Sequence, residues 1–308
     1  MIITLNSKQE FNIVLNFDSH MNYTQTIDYL FNKLPMFSRI GEAAIKKDLT
    51  NTLALCSFLH HPEQKIKTIH IAGTNGKGSV AHILASVLQQ AGYKTGLYTS
   101  PHLIDFRERI KINGKPCSEK FVVKFTEKIK PKIEEIQPSF FEITVAMAFD
   151  YFANEKVDIA IIETGLGGRL DSTNVITPIL SVITNISYDH QYLLGNTLAE
   201  IAAEKAGIIK PNIPVVIGRK YEETNAVFIE KAKQENSVLF FADDIAQNIK
   251  SINTPNYLIV DAIIEDKKVN ICCDLNSSYQ TENIKTVLAT LQVLQQYSTF
   301  IIKEKALQ

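Results

Sequence analysis

Short apolar runs alternate with stretches of helical periodicity along the middle of the chain. We interpret five of these runs as strands, because short continuous apolar runs are typical of strands buried on both faces of a sheet. They lie at residues 66–72, 94–99, 157–163, 179–185 and 214–218. Their alternation with helical segments predicts an α/β fold with a mostly parallel sheet flanked by helices.

Helical patterns fill the intervals between the predicted strands. The first helix follows the strand at 66–72 and ends at Gly92. Its apolar residues, which recur at helical spacing, are Val80, Ile83, Leu84, Val87 and Leu88. Two more helices are predicted over 119–136 and 140–154. The last part of the chain predicts a β-hairpin at 257–275 and then an amphipathic helix from about residue 282 to 296.

The composition is that of an ordinary globular protein. The 308 residues, 45% of them hydrophobic, suffice for one large domain or two smaller ones. The formal net charge of -1, from 32 basic and 33 acidic residues, gives no reason to expect nucleic acid or an anionic membrane as a partner. With no signal peptide, no apolar window long enough for a transmembrane helix and no zinc spacing among four cysteines, we expect a cytoplasmic protein without disulfides.

The segment HIAGTNGKGSVA concentrates glycines around one lysine, between a predicted strand and a predicted helix. Its loop consists of Gly73, Thr74, Asn75, Gly76, Lys77, Gly78 and Ser79. Glycines let the backbone approach a ligand closely, and the free N–H groups of a helix N-terminus favour an anion. Lys77 adds a mobile charge for phosphate oxygens, so we predict a nucleoside triphosphate as the ligand. Because Gly78 separates the lysine from the hydroxyl residue of the usual G-x-x-x-x-G-K-[ST] pattern, a βα turn without a ligand is the alternative.

Polar residues follow three other predicted strands, at the edge where open parallel sheets bind ligands. Ser100 follows the second strand, Glu163 ends the third, and Asp189 and His190 follow the fourth. A solvated strand end is the alternative for Glu163, and a structural histidine is the alternative for His190. Their common position at one edge of the sheet favours a functional site.

Lys205 lies on the apolar face of a predicted helix. The segment NTLAEIAAEKAGIIK opens with a capping box formed by Thr197 and Glu200. The residues that share a helix face with Lys205 are Leu198, Ile201, Ala202 and Ile208. Burial without a partner lowers the pKa of an ammonium group. We therefore expect a lysine held near the phosphates or covalently modified, with extension of the side chain to the surface as the alternative.

Together these motifs resemble the folylpolyglutamate synthase/dihydrofolate synthase family, a branch of the Mur ligase superfamily. The matching segments, in family order from about residue 22 to 297, are HIAGTNGKGSVA, GLYTSPHL, FRERI, ETGLGGRLDSTN, ITNISYDH and IAAEKAGIIK. The resemblance implies a P-loop, Mur-ligase-like ATP-binding domain over 21–297, with a small β-hairpin region near its C-terminus. Residues 1–20 are then an N-terminal extension. Residues 298–308 are a tail or the start of a linker to a C-terminal domain that we expect to be missing.

The resemblance implies an ATP-dependent ligase of folate biosynthesis and one-carbon metabolism. It would join L-glutamate to dihydropteroate and/or extend tetrahydrofolate and other folyl(poly)glutamates. Because GGRLD resembles the dihydrofolate-forming members, we expect both activities. ATP would phosphorylate a substrate carboxylate, and the glutamate amine would displace phosphate from the acyl phosphate. A Mur ligase acting on a cell-wall precursor and an ATP-binding module without full activity are the alternatives. We expect a monomer.

The resemblance also implies how the nucleotide and its metal are held. The loop from Gly73 to Ser79 would bind ATP, with Lys77 on the β- and γ-phosphates and Asn283 beside the adenine. The expected Mg²⁺ ligands are Ser100, Glu163 and His190. Because histidine is an unusual ligand for so hard a cation, manganese could replace magnesium.

The resemblance assigns the remaining site residues to catalysis and to the pterin. Lys205 matches a lysine that is carbamylated in the family, and we expect it to be catalytic together with Lys77 and His190. Phe141, in SFFEITVAMAF, would stack on the pterin ring, although core packing is the alternative. Asp171 would bind the polar edge of the ring, and Arg169 lies in the same GGRLD segment.

Overall fold

Helices and strands alternate through most of the chain in the computed structural model, which describes residues 21–36, 39, 41, 48–265 and 267–307. Residues 1–20, the expected N-terminal extension, lie outside the described residues. The helices are α1 (Tyr23–Lys33), α2 (Thr50–Phe58), α3 (Lys77–Gln90), α4 (Glu119–Ile136), α5 (Phe140–Asn154), α6 (Gln191–Leu194), α7 (Leu198–Ala206), α8 (Glu222–Gln234), α9 (Ala242–Ile245) and α10 (Gln280–Tyr297). In these ranges, no helix combines the length and the apolar character needed to cross a membrane.

An eight-stranded sheet forms the centre of the fold. Its strands are β1 (Thr68–Ala72), β2 (Thr95–Tyr98), β3 (Ile110–Ile112), β4 (Lys115–Pro116), β5 (Ile159–Glu163), β6 (Leu180–Ile183), β7 (Val215–Ile217) and β8 (Leu239–Phe241). The spatial order is β4-β3-β2-β5-β1-β6-β7-β8. All pairs from β2 to β8 are parallel, and only the edge strands β3 and β4 pair antiparallel. The predicted mostly parallel α/β sheet is therefore confirmed.

Helices cover both faces of this sheet, because alternate residues of the central strands point to opposite sides. In β5, Ile159 and Ile161 pack with α3 and α10, whereas Ala160 and Ile162 pack with α1, α2, α4 and α5. A third apolar cluster joins α7 and α8 to β6 and β7. The three layers leave the carboxyl ends of β1, β2, β5 and β6 together at one edge.

A second, antiparallel sheet contains β9 (Gln247–Asn253), β10 (Leu258–Ile264) and β11 (Lys267–Cys273). The hairpin predicted at 257–275 corresponds to β10 and β11, which pair along their whole length. β9 has no counterpart among the predicted strands, because QNIKSIN is mostly polar and exposed and carries no apolar alternation. The strand exists through its backbone pairing with β10.

The residues after α10 pack back onto the same body. Phe300, Ile302 and Ala306 are buried in the apolar cluster that contains α3 and α10. The Phe300 ring meets the Tyr93 ring edge-on, with 4.8 Å between their centroids. The division of the chain at residue 297 stays a prediction.

Candidate active site

The glycine loop joins β1 to α3 at the centre of the sheet edge. Gly73 has a φ of 144°, and a Cβ there would lie 1.9 Å from the Thr184 hydroxyl oxygen. Gly76 has a φ of 82°, and a Cβ there would lie 2.2 Å from the Asn283 Oδ1. Both positions therefore require glycine, for backbone conformation and for space.

The segment after β6 holds the glycine loop from one side. The backbone N–H of Thr74 donates to the Asn185 carbonyl at 2.9 Å, and that of Asn75 donates to the Asn185 Oδ1 at 2.8 Å. Thr74 and Ser187 exchange two hydrogen bonds of 3.1 Å, and the Thr184 hydroxyl donates to the Asn75 carbonyl at 2.6 Å. The sequence placed this segment after a buried strand and within the ITNISYDH motif, but it assigned no role to Thr184, Asn185 or Ser187.

Two lysine side chains from different helices meet at one backbone carbonyl. The Lys77 ammonium donates to the Gly73 carbonyl at 3.1 Å and to the Thr74 carbonyl at 3.3 Å. The Lys205 ammonium, from α7, donates to the same Gly73 carbonyl at 2.9 Å. Lys205 is only 2% exposed, so its side chain does not extend to the surface. Burial, and then the charge of Lys77, lowers the pKa of Lys205 to about 8.

Glu163 presents a buried carboxylate at the end of β5. Its Oε2 accepts a hydrogen bond from the backbone N–H of Ser100 at 3.2 Å. Its two oxygens lie 3.7 and 3.8 Å from the place that a Cβ on Gly78 would occupy. Burial raises the pKa of this carboxyl to about 7, although the charge of Lys77 opposes the rise. The first turn of α3, Ser100 and Glu163 therefore lie side by side.

The side chains at this edge fit a magnesium ion. Mg²⁺ takes oxygen ligands and commonly keeps one or two carboxylates together with waters and substrate phosphates. Glu163 supplies a carboxylate that would regain its charge beside a cation, and Ser79 and Ser100 supply hydroxyls. Within the described part of the chain, no three His, Cys, Asp or Glu side chains gather into a metal site of their own. One carboxylate and two hydroxyls fit a Mg²⁺ ion whose remaining ligands are waters and nucleotide phosphates.

His190, the third expected metal ligand, lies just before α6. Its backbone has a φ of 42°, in the left-handed region, and its Nε2 lies 3.5 Å from the Asp189 Oδ1. The same segment carries Ser187, which holds Thr74 of the glycine loop. His190 thus belongs to the segment whose hydrogen bonds hold the glycine loop in place. Its role as a metal ligand stays a prediction.

A buried chain of hydrogen bonds lies beneath the GGRLDSTN segment. The Thr173 hydroxyl donates to the Asp171 carboxylate, so it accepts from the Nε2 of His70, which lies 2.8 Å away. Asp171 also accepts from the backbone N–H groups of Gly165 at 2.8 Å and Leu166 at 2.9 Å. Both carboxylate oxygens, expected to bind the pterin edge, therefore bind the loop of the chain itself, and Asp171 is only 6% exposed.

Phe141 and Arg169 differ in their relation to this segment. The Phe141 ring packs on Gly165, since a Cβ there would lie 2.5 Å from the Phe141 Cζ. Asp171 and Phe141 therefore approach the same glycine. Arg169 instead forms an ion pair of 2.8 Å with Glu204 of α7, on the exposed side. The structure thus brings two of the three expected pterin residues together and places the third against the helix of Lys205.

The first turn of α10 covers the glycine loop from the other side. The Gln280 Nε2 donates to the Ser79 hydroxyl oxygen at 3.1 Å, and the Gln280 Oε1 accepts from the Asn283 Nδ2 at 2.7 Å. Asn283, expected beside the adenine, thus lies against the loop at Gly76. Gln280 was not singled out from the sequence, although its spacing from Asn283 places both side chains on one helix face.

The chain matches the family model of the Mur ligase middle domain over residues 71–291. The chain belongs to the Mur ligase family. This Mur ligase chain is 48% identical over 197 residues to the dihydrofolate synthase/folylpolyglutamate synthase of Bacillus subtilis (strain 168), a match that covers 62% of this chain and 46% of that protein. The predicted family resemblance is confirmed.

Solved structures place the Mur ligase chain in the same branch. It matches the apo form of L. casei FPGS with a TM-score of 0.84 and 33% identity, over 93% of this chain and 70% of that one. It matches E. coli FolC in complex with DHPP and ADP with a TM-score of 0.77 and 27% identity, over 93% of this chain and 64% of that one. The chain spans about half the length of the first two curated relatives that it matches.

We expect His70 to lower the free energy of unfolding of this Mur ligase chain as the pH falls below about 6.5. Burial, and then the charge of Lys210, lowers the pKa of the His70 imidazole from 6.5 to about 3, so the folded chain binds this proton less readily than the unfolded chain. The stability that neutral His70 contributes is present above pH 6.5 and is lost as the pH falls toward 3, by at most about 1.4 kcal/mol per pH unit.

Urea unfolding at pH 7 and pH 5 measures this contribution. His70→Gln keeps an amide N–H that can reach Thr173 and has no proton to take up. Its free energy of unfolding should decline less between the two pH values, by about 2 kcal/mol. Equal declines for the variant and the unaltered chain would contradict the assignment.

Proposed function

We propose that this chain is an ATP-dependent ligase that joins L-glutamate to dihydropteroate, or extends tetrahydrofolate and other folyl(poly)glutamates. The observation that carries the proposal is the meeting of Lys77 and Lys205 at the Gly73 carbonyl, next to the buried carboxylate of Glu163. A glycine loop with a lysine at its phosphate end, a buried carboxylate and a second lysine of lowered pKa suits transfer of a phosphoryl group to a substrate acid. The names of the relatives agree with this assignment.

The residues of the site would act mainly by position and charge. The first N–H groups of α3 would donate to the phosphates, and Lys77 would turn from the loop carbonyls to the β- and γ-phosphate oxygens. Mg²⁺, held by Ser79, Ser100, Glu163 and His190, would neutralise charge on the phosphates. In the reaction, a substrate carboxylate oxygen bonds to the γ-phosphorus and ADP leaves. The glutamate amine then attacks the acyl carbon, loses a proton and expels inorganic phosphate.

Lys205 would act as a carbamate. Its lowered pKa makes the neutral amine accessible, and that amine can attack the carbon of carbon dioxide and release a proton to water. The product is an anion in a place where an ammonium faces the charge of Lys77. A carbamate would attract both Lys77 and Mg²⁺, whereas the free ammonium repels them.

The substrate pocket would lie beside Gly165. Phe141 would offer one face to the pterin, and Asp171 would bind its polar edge from the loop that it holds in shape. Arg169 would act indirectly, through its ion pair with Glu204 on the helix that carries Lys205.

A coupled assay of ADP formation tests the proposal. The chain is given ATP, Mg²⁺ and L-glutamate with dihydropteroate in one series and tetrahydrofolate in another. We expect ADP formation that requires both glutamate and the pterin substrate, with a glutamylated product seen by mass spectrometry. Binding of ATP without turnover of either substrate would instead indicate an ATP-binding module.

A further inference from the structure

Gln280 bridges two parts of the proposed nucleotide site through its side-chain amide. It is the first residue of α10 and is 4% exposed, so water does not compete for its partners. Its amide N–H donates to the Ser79 hydroxyl oxygen at 3.1 Å, and its amide oxygen accepts from Asn283 at 2.7 Å. Ser79 and Gln280 are 201 positions apart, so the bond links the phosphate end of α3 to the helix that covers it.

The bond fixes the position of the Ser79 hydroxyl oxygen. A serine in the first turn of a helix has several rotamers, and one of them turns its hydroxyl back to the carbonyl four residues earlier. For Ser79 that carbonyl belongs to Asn75, which already accepts from Thr184. By donating to one lone pair, Gln280 holds the oxygen in one place and leaves the second lone pair and the proton available.

We propose that Gln280 is a positioning residue that holds the Ser79 hydroxyl ready for the nucleotide-bound magnesium ion. The proposal rests on the proposed function, because only a phosphate loop gives the Ser79 hydroxyl such a ligand. Gln280 does not touch the nucleotide in this account. It acts through Ser79. Because the hydroxyl oxygen is already held in place, the entropic cost of ordering this side chain when the ion binds is smaller.

The same residue couples the two ends of the nucleotide. Asn283, one turn further along α10, donates a hydrogen bond from its side-chain amide to the Gln280 Oε1. It also lies against Gly76 of the loop. A movement of Asn283 toward the adenine of a bound nucleotide would therefore displace the Gln280 amide that holds the Ser79 oxygen. The coupling should appear as a dependence of nucleotide affinity on magnesium.

Isothermal titration calorimetry of ATP with the whole chain, in EDTA and in saturating Mg²⁺, tests the proposal. The ratio of the two dissociation constants measures how much the ion strengthens nucleotide binding. Gln280→Met keeps the volume of the side chain and removes both the donor to Ser79 and the acceptor of Asn283. It should reduce this ratio by about 3- to 10-fold, the effect of one neutral hydrogen bond. Gln280→Ala is measured beside it, so that a misfit of methionine does not decide the result.

A double-mutant cycle separates positioning from a structural role. In a Ser79→Ala background, Gln280→Met should have no further effect on the ratio, because the oxygen that it holds is gone. Gln292→Met on the same helix, far along α10 from the loop, is the matched control and should behave like the unaltered chain.

Four results would overturn the inference. Additive effects of the Ser79 and Gln280 substitutions would show that they act independently. Equal weakening of ATP binding in EDTA and in Mg²⁺ would show a structural role alone, and unchanged affinities in both would show no role. Failure of the unaltered chain to bind ATP would overturn the proposed function, and this inference with it. Normal ATP binding with an unchanged ratio in Gln280→Met would overturn the inference only.

Discussion

Lys77→Ala is expected to reduce ATP-dependent ligation about 10²- to 10³-fold, as the loss of one preorganised charge-stabilising group typically does. The Lys77 ammonium lies on the Gly73 and Thr74 carbonyls, within reach of phosphates bound at the start of α3. Its removal costs the fold little, because the side chain is half-buried and shares its carbonyl acceptor with Lys205. Loss of the neighbouring charge should also raise the pKa of Lys205, since Lys77 is one cause of its lowering.

Steady-state ADP formation and thermal melting of the same variant separate these effects. We expect the rate to collapse while the melting temperature stays close to that of the unaltered chain. Lys124→Ala, an exposed lysine on α4, is the control and should change neither quantity. A near-normal rate for Lys77→Ala would remove the phosphate role from this residue.

Lys205→Ala is expected to abolish turnover, and a short carboxylic acid such as formate should partly restore it. The side chain is buried beside the glycine loop, and lowering its pKa from 10.5 to about 8 raises the neutral fraction at pH 7 roughly 300-fold. That neutral amine is the form that reacts with carbon dioxide. An added carboxylate would occupy the place that the carbamate anion vacates in the variant.

Two further measurements test the sign of the charge at Lys205. The unaltered chain should lose activity in buffer freed of carbon dioxide and regain it with bicarbonate, and the regain should be faster at higher pH because more of the amine is neutral. Lys233→Ala, an exposed lysine on α8, is the control. Rescue of Lys205→Ala by a small amine and not by formate would mean that the positive charge is what the site requires.

Much of the fold could be predicted from the sequence because its signals are local. The buried strands β1, β5 and β6 appear as short apolar runs, and α4 and α5 begin and end where their patterns predict. The glycine loop could be recognised between a strand and a helix, and helical spacing placed Lys205 on a buried face. Each of these inferences needs only the burial of one face of one element.

The polar β9 and the pairing of side chains across the site could not be predicted in this way. The sequence predicted Asp171 for the polar edge of the pterin, which stays a prediction. Its hydrogen bonds with Gly165, Leu166 and Thr173 became visible only in the structure. The hydrogen bond between Gln280 and Ser79 could not be predicted either, because the two residues lie 201 positions apart in the chain.

The sequence by itself determined the α/β class and the positions of the loop and of Lys205, because apolar periodicity and glycine spacing are properties of neighbouring residues. The family followed from the resemblance of several short motifs to known members. Only the tertiary structure decided that Lys205 reaches the Gly73 carbonyl across 132 positions and that α10 closes over the loop. The physical reason is that a hydrogen bond demands a narrow distance and direction, and for residues far apart in the chain these depend on how whole helices pack on the sheet.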